Sequence, residues 1–256
     1  MKSPVHYIYS HRSCISWVKK KIPPRSVVNS FFLYSGELEL SLAAVDRFVC
    51  AYTNSLPVYE FWECMQTNPE LIWSIATSSQ FGHLSNPVLF EALQETWYTY
   101  KDPYVRAALF YLLNSVSSTG AISSGEYAPS VHVRSTIRAL KNFRPHNLHL
   151  KYFTQLNVVE YASSLSQGEY DIYALGKFNY NFLRPRRPSA VEEAPVDHIR
   201  FARAIGKAHT RQWILLYKYH PEIIKMYKDF STVGLDKYGN VTDSLDAMED
   251  VVVTNF

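Results

Sequence analysis

The stretch Val27-Val28-Asn29-Ser30-Phe31-Phe32-Leu33-Tyr34-Ser35-Gly36-Glu37-Leu38-Glu39-Leu40 constrains the fold more than any other part of the chain. An apolar run ends on a small Ser-Gly turn and a Leu-x-Leu-x-Leu run follows, which spells strand, tight turn and a helix from Glu37 to about Ala44. Arg47-Phe48-Val49-Cys50-Ala51-Tyr52 then reads as a second strand, closed by Thr53-Asn54-Ser55. So short a connection predicts a parallel pair with a right-handed crossover. A turn that lets a ligand approach the backbone usually carries two or three glycines, and this one carries only Gly36. The segment therefore also reads as an ordinary strand-to-helix connection.

Around this βαβ unit the periodicity changes twice. Residues Met1 to Arg12 form an extended polar and aromatic stretch, after which Ile15, Trp17, Val18 and Ile22 keep helical spacing until Pro23-Pro24. From Leu56 to Leu113 the pattern is helical, with Asn68-Pro69 and Asp102-Pro103 as helix starts. This block interrupts the sheet, so the expected organisation is an α/β core of residues 1–55 and 145–256 with an inserted helical subdomain over 56–144. A long loop is expected at Ser115 to Ser130 and a basic helix at Arg134 to Phe143. Strands are predicted at His149–Phe153, Tyr170–Leu175, Gln212–Tyr217 and Glu249–Phe256, and helices at Val158–Leu165, Pro195–Ala208 and Pro221–Tyr227. The segment from Gly176 to Pro195, with Arg184-Pro185-Arg186-Arg187-Pro188, is neither regular helix nor central strand.

Composition narrows the function classes. A net charge of +3 is too small to claim nucleic acid by itself, but it gathers at Lys19-Lys20-Lys21, at Arg134, Arg138, Lys141 and Arg144, and at Arg184, Arg186 and Arg187. Those clusters would line one groove or stand as unrelated solvated faces. With 19 Tyr, 14 Phe and 5 Trp, some rings must be exposed, which suits a broad binding surface. Cys14, Cys50 and Cys64 lack metal-ligand spacing and are odd in number, as expected of reduced thiols in an intracellular, cytoplasmic protein. His6, His11, His198, His209 and His220 lack metal spacing as well, so no metal is expected. The absence of an apolar run of about 18 residues and of a signal-peptide core argues against membrane insertion and secretion.

In this order the segments resemble the Dam-like adenine-specific DNA methyltransferases, over nearly the whole chain. The family's opening Lys-Tyr-x-Gly-Gly-Lys, helix and Ile-Pro correspond to Pro4 to Arg12 and Trp17-Val18-Lys19-Lys20-Lys21-Ile22-Pro23-Pro24. Its Glu-Pro-Phe-x-Gly-Gly-Gly turn falls on Asn29 to Gly36, and its Asn-Asp-x-Asn strand end on Ala51-Tyr52-Thr53-Asn54. Arg106 to Asn114 with Gly120 is similar to the helix and loop ahead of the target-recognition region. Trp213 to Tyr217, His220-Pro221-Glu222-Ile223, Tyr227 and Val253 to Phe256 match its last strands. The resemblance implies an α/β fold: a Rossmann-like methyltransferase sheet, mostly parallel with an antiparallel C-terminal strand, and an S-adenosylmethionine site.

The chemical positions depart from the family. Phe32, Leu33, Tyr34 and Ser35 stand where the donor turn has glycines, leaving Gly36 alone, and Leu33 and Tyr34 are expected to bring side chains into that space. Tyr52 replaces the ribose-binding carboxylate and Asn54 ends the same motif. The Asp-Pro-Pro-Tyr register gives Ala174-Leu175-Gly176-Lys177, without the acceptor that draws on the adenine amine or the ring that stacks on the flipped base. A shifted register offers Asn179, Tyr180 and Phe182. Losing one transition-state contact costs about a hundred- to a thousandfold, and these losses compound. The expectation is an inactive member without cofactor, retained with a protein partner as an assembly subunit, in a virion if the source is viral or phage. The alternatives are a DNA-binding pseudoenzyme using the basic residues named above, and an active divergent enzyme that uses S-adenosylmethionine.

Overall fold

In the computed structural model, the structure describes residues 2–7, 9–78, 84, 86–122, 125–128, 137–138, 140–154, 158–166, 168–177, 196–207 and 211–256. A short helix α1 (Cys14–Lys21) leads into β1 (Val27–Phe31), α2 (Glu37–Ala43) and β2 (Phe48–Thr53), which form the expected parallel βαβ unit with Phe31 opposite Tyr52. Helices α3 (Leu56–Thr67), α4 (Pro69–Ala76), α5 (Pro87–Thr96) and α6 (Pro103–Val116) follow. The Asn68 side chain caps α4 by accepting from the Leu71 amide at 3.2 Å, and Asp102 caps α6 by accepting from Tyr104 and Val105 at 2.8 and 3.1 Å. The chain then runs through β3 (Leu148–Tyr152), α7 (Val158–Ser164), β4 (Tyr170–Lys177), α8 (His198–Ile205), β5 (Gln212–Lys218), α9 (Pro221–Met226), β6 (Ser231–Asp236) and β7 (Met248–Thr254).

The seven strands make one sheet in the order β3-β2-β1-β4-β5-β7-β6. The first five of these positions are parallel, and β7 runs antiparallel to both β5 and β6. Both faces are covered, which is why the central strands read as unbroken apolar runs. Along β5, Ile214 and Leu216 join the core shared with α1 to α6, whereas Leu215 and Tyr217 join the core shared with α7, α8 and α9. Phe61 of α3 and Phe110 of α6 lie in the same core as Val28 and Val49 of the sheet, their rings stacked 4.8 Å apart. The helices of the 56–144 segment thus rest directly on one sheet face.

Several elements differ from expectation in extent. Helix α8 spans His198–Ile205 within the expected Pro195–Ala208, whose two end residues lie outside the described ones, and starts where Asp197 accepts from the Arg200 amide at 2.9 Å. Strand β4 continues through Lys177, across an irregularity between Ala174 and Gly176. Strand β6, Ser-Thr-Val-Gly-Leu-Asp, gives little periodic signal because it is a half-exposed edge. Of the expected basic helix, residues 137–138 and 140–141 are helical, and residues 134–136 and 139 lie outside the described residues. Among the described residues, no helix is long and apolar enough to cross a membrane.

Candidate functional site

The strand order reverses between β1 and β4, and in open α/β sheets ligands bind outside the carboxyl ends of the strands at that point. The β1–α2 turn lies here. Phe32 sits at φ 68° and Gly36 at φ 69°, in the left-handed region. A Cβ on Gly36 would stand 2.6 Å from the Trp62 ring, so only glycine lets the turn close over that indole.

The turn's backbone is largely spoken for by protein groups. The Leu33 amide donates to the Tyr52 carbonyl at 2.9 Å, the Trp62 indole N–H donates to the Tyr34 carbonyl at 2.9 Å, and the Ser3 hydroxyl donates to the Ser35 carbonyl. The N-terminal stretch lies across the turn. Tyr7 packs its ring 4.5 Å from that of Tyr34, and the His6 backbone exchanges bonds of 3.0 and 2.8 Å with the Asn114 side chain. Gly120 allows this crossing, since a Cβ there would meet the His6 carbonyl oxygen at 2.1 Å.

Leu33 and Tyr34 are buried in the helical-side core, with the Tyr34 hydroxyl donating to the Gly120 carbonyl at 3.0 Å. Their side chains therefore build the floor of the turn. On the opposite sheet face Tyr52, Phe31 and Tyr173 occupy one rung of β2, β1 and β4. Phe31 stacks 4.8 Å from Tyr52 and 4.9 Å from Tyr173, and Phe153 stacks 5.3 Å from Tyr161, which meets Tyr52 edge-on. Such pairs contribute about 0.5–1.5 kcal/mol each beyond their burial. Burial pushes the Tyr52 phenol up, as befits a wall residue. Phe32 extends this row, half-buried with its ring 6.5 Å from Phe153, and Asn54 is half-buried at the end of β2.

At the end of β4, Ala174, Leu175 and Gly176 present no side-chain acceptor. The Gly176 amide donates to His11 Nε2 at 3.1 Å, which leaves the proton on Nδ1 to donate to Asp250 at 3.1 Å. Asp250 also accepts from the Ser13 hydroxyl and from the Lys218 ammonium at 3.1 Å, and Lys218 reaches Glu249 at 3.0 Å. Burial pushes the Asp250 carboxyl up, but His11, Lys218 and Ser13 overcome it and hold it below the usual carboxylate range. Burial likewise works against the Lys218 ammonium, and its two carboxylates more than offset that and raise it.

His11, Cys14 and Asp250 bring ligand atoms within 4.8 Å of one another. Metal binding needs deprotonated ligands, whereas here His11 Nδ1 carries a proton, burial keeps Cys14 a thiol and Lys218 already neutralises the carboxylate. The group is a satisfied polar network. Of its members, Ser13, Lys218 and Asp250 were not singled out by sequence reasoning. The available signals were an acid inside the β-branched run Glu249-Asp250-Val251-Val252-Val253 and a lysine closing the apolar run of β5.

Among the described residues, the lysine cluster of α1 does not reach this crevice. Helix α1 runs back along the sheet and leaves Lys19, Lys20 and Lys21 at the amino ends of the strands, where Lys21 lies 5.3 Å from the Trp17 ring and 5.9 Å from that of Phe256. Lys141 lies 5.0 Å from the Trp73 ring on α4, and Arg138 and Arg144 are exposed. Arg134, Asn179, Tyr180, Phe182, Arg184, Arg186 and Arg187 lie outside the described residues.

A seven-stranded sheet of this order, with one reversed strand and helices on both faces, defines a Rossmann-like, doubly wound α/β fold. The chain is similar to phosphoethanolamine N-methyltransferase 1 of Haemonchus contortus, solved with phosphoethanolamine and S-adenosylhomocysteine, at 6% identity and a TM-score of 0.38. That likeness covers 97% of this chain and 41% of the other, so the chain spans about two-fifths of that protein's length. It is also similar to the rRNA methyltransferase AviRa of Streptomyces viridochromogenes, at 10% identity and a TM-score of 0.33, over 91% of this chain and 77% of the other. No protein-family model matches the sequence, and no curated protein matches it.

Proposed function

We propose that this protein is a degenerate relative of the Dam-like adenine-specific DNA methyltransferases that binds a protein partner within an assembly and transfers no methyl group. One observation carries the reading: the β1–α2 turn, which a methyl donor would have to approach, is covered by the N-terminal stretch and gives the Tyr34 and Ser35 carbonyls to Trp62 and Ser3. The lack of a side-chain acceptor at Ala174, Leu175 and Gly176 supports it further, as does the enclosure of Tyr52 in the aromatic row. The setting this entails is the inside of a cell, or a particle if the source is viral or phage. A duplex-binding role is less well supported, because Lys19, Lys20 and Lys21 stand at the far end of the sheet from the crevice.

Titration calorimetry with S-adenosylmethionine, together with labelled methyl transfer to unmethylated DNA, tests the proposal. The expected outcome is no saturable heat up to about millimolar donor, a concentration at which even a binding free energy of about 4 kcal/mol registers. Saturable binding or label in the DNA refutes it. A gel shift with a steep salt dependence would put the DNA-binding reading in its place.

A further inference from the structure

The two ends of the sheet carry exposed apolar patches of opposite charge. At the carboxyl ends of the parallel strands, the β6–β7 loop exposes Tyr238 (76%), Val241 (66%) and Leu245 (58%) beside the exposed acids Asp243 and Asp246, with Lys237 over the Tyr238 ring at 5.0 Å. This loop is held in shape. Asp236 and Asn240 bond across it at 2.9 Å, and the Asp236 carboxylate accepts from the Tyr238 and Asn240 amides at 2.8 Å. At the amino ends, Phe48 (43% exposed), Val45, Pro23 and Pro24 lie beside the exposed cations Lys20 and Lys21. That patch is continuous, because Arg47 bonds to the Lys19 and Ile22 carbonyls and the Arg25 amide bonds to Asp46.

We propose that the acidic β6–β7 loop of one molecule docks on the basic Phe48 patch of a second copy, head to tail. Each patch has an apolar centre and a charged rim, and the signs are complementary. The strand length, at about 3.3 Å per residue, and the strands that lie between β2 and β6 hold the two surfaces more than roughly 20 Å apart, so they meet only between molecules. Surfaces at opposite ends of one molecule make a heterologous contact, which grows into a ring or a filament instead of stopping at a symmetric pair. The inference goes beyond the reading of the crevice and does not depend on it, since neither patch includes the β1–α2 turn. The loop meets the His11 network where Gly239 packs on the Ser13 carbonyl, and both variants below leave Gly239 and Ser13 unchanged.

Sedimentation velocity on the full chain tests it. The parent protein should assemble with rising concentration, and raising salt from about 0.05 to about 0.5 M should weaken that association at least about tenfold. Two variants block one surface each: Tyr238→Lys with Leu245→Lys, and Phe48→Gln with Lys20→Gln, so that the two blocked surfaces do not attract each other. All four positions are exposed, and circular dichroism checks that both variants keep the parent's fold. Each alone should stay monomeric. Mixed in equal amounts they should form a one-to-one dimer that grows no further, because each contributes its intact surface. A parent that stays monomeric at about 200 μM, a blocked variant that assembles as the parent does, or a mixture that fails to pair overturns the proposal.

Discussion

Replacing Asp250 with alanine should unfasten the N-terminal stretch from the sheet, and the structure sets the scale of the loss. The carboxylate is fully buried and accepts from His11, Ser13 and Lys218, three groups drawn from two segments far apart in sequence. Alanine leaves the Lys218 ammonium with only Glu249, whose side chain is half exposed, and strands the His11 proton without an acceptor. Breaking a buried pair from one side costs about 3–5 kcal/mol, a large share of the roughly 5–15 kcal/mol that holds a domain folded. Asparagine keeps the shape and an acceptor but removes the charge, and should cost less. Urea unfolding at neutral pH, followed by far-ultraviolet circular dichroism, should therefore rank parent, Asp250→Asn and Asp250→Ala in falling midpoint with little change in slope.

The sign with pH follows from the same contacts. The folded Asp250 carboxyl lies below its unfolded value, so its contribution is complete above about pH 4 and is lost as pH falls through the folded value. Asp250→Asn should lose that acid sensitivity. Amide exchange gives a local readout: the Gly176 amide, held by His11 Nε2, should lose protection in the alanine variant before the β5 amides do. An Asp250→Ala protein within about 1 kcal/mol of the parent, with the Gly176 amide still protected, would refute the reasoning.

Two further outcomes follow from buried titrating groups on either sheet face. His198 donates or accepts at 3.2 Å with the Tyr217 hydroxyl, and burial pulls its pKa down to about 4. Its neutral form is favoured in the fold, so stability is full above about pH 6.5 and falls toward pH 4, by at most about 3 kcal/mol at 1.4 kcal/mol per pH unit; His198→Phe should flatten that part of the profile in thermal melts. Glu39 is buried and accepts from the Ser30 hydroxyl at 2.7 Å, and burial outweighs its hydrogen bonds and pushes its carboxyl up. Here stability falls as pH rises above the unfolded carboxylate range, so Glu39→Gln should melt higher than the parent at pH 7 and show no such gain near pH 4.

Much of the fold was legible because its signals are local. A βαβ unit needs only an apolar run, a tight turn and a second run, and Asn68 and Asp102 mark helix starts by bonding amides two or three residues on. The antiparallel last strand could be expected from its β-branched run and from the resemblance. The edge strand β6 escaped notice because it buries little and draws its identity from pairing with β7. For the candidate site, the sequence indicated which residues depart from a methyl-transfer pattern but not where their side chains go. Leu33 and Tyr34 face the helical core because the chain leaves β1 and turns at Phe32, whose φ is 68°, whereas Tyr52 joins an aromatic row because alternate residues of a strand face opposite sides of the sheet.

By itself, then, the sequence determined the βαβ unit, most of the later strands and helices, and the absence of a side-chain acceptor at Ala174, Leu175 and Gly176, since all are properties of neighbouring residues. Only the tertiary structure decided that His11 would meet an acid 239 residues away. That meeting depends on the pairing of β7 against β5, which sets Asp250 opposite Lys218. A slip of one residue would turn the carboxylate to the other face, and no local pattern in the chain specifies which of the two registers is kept.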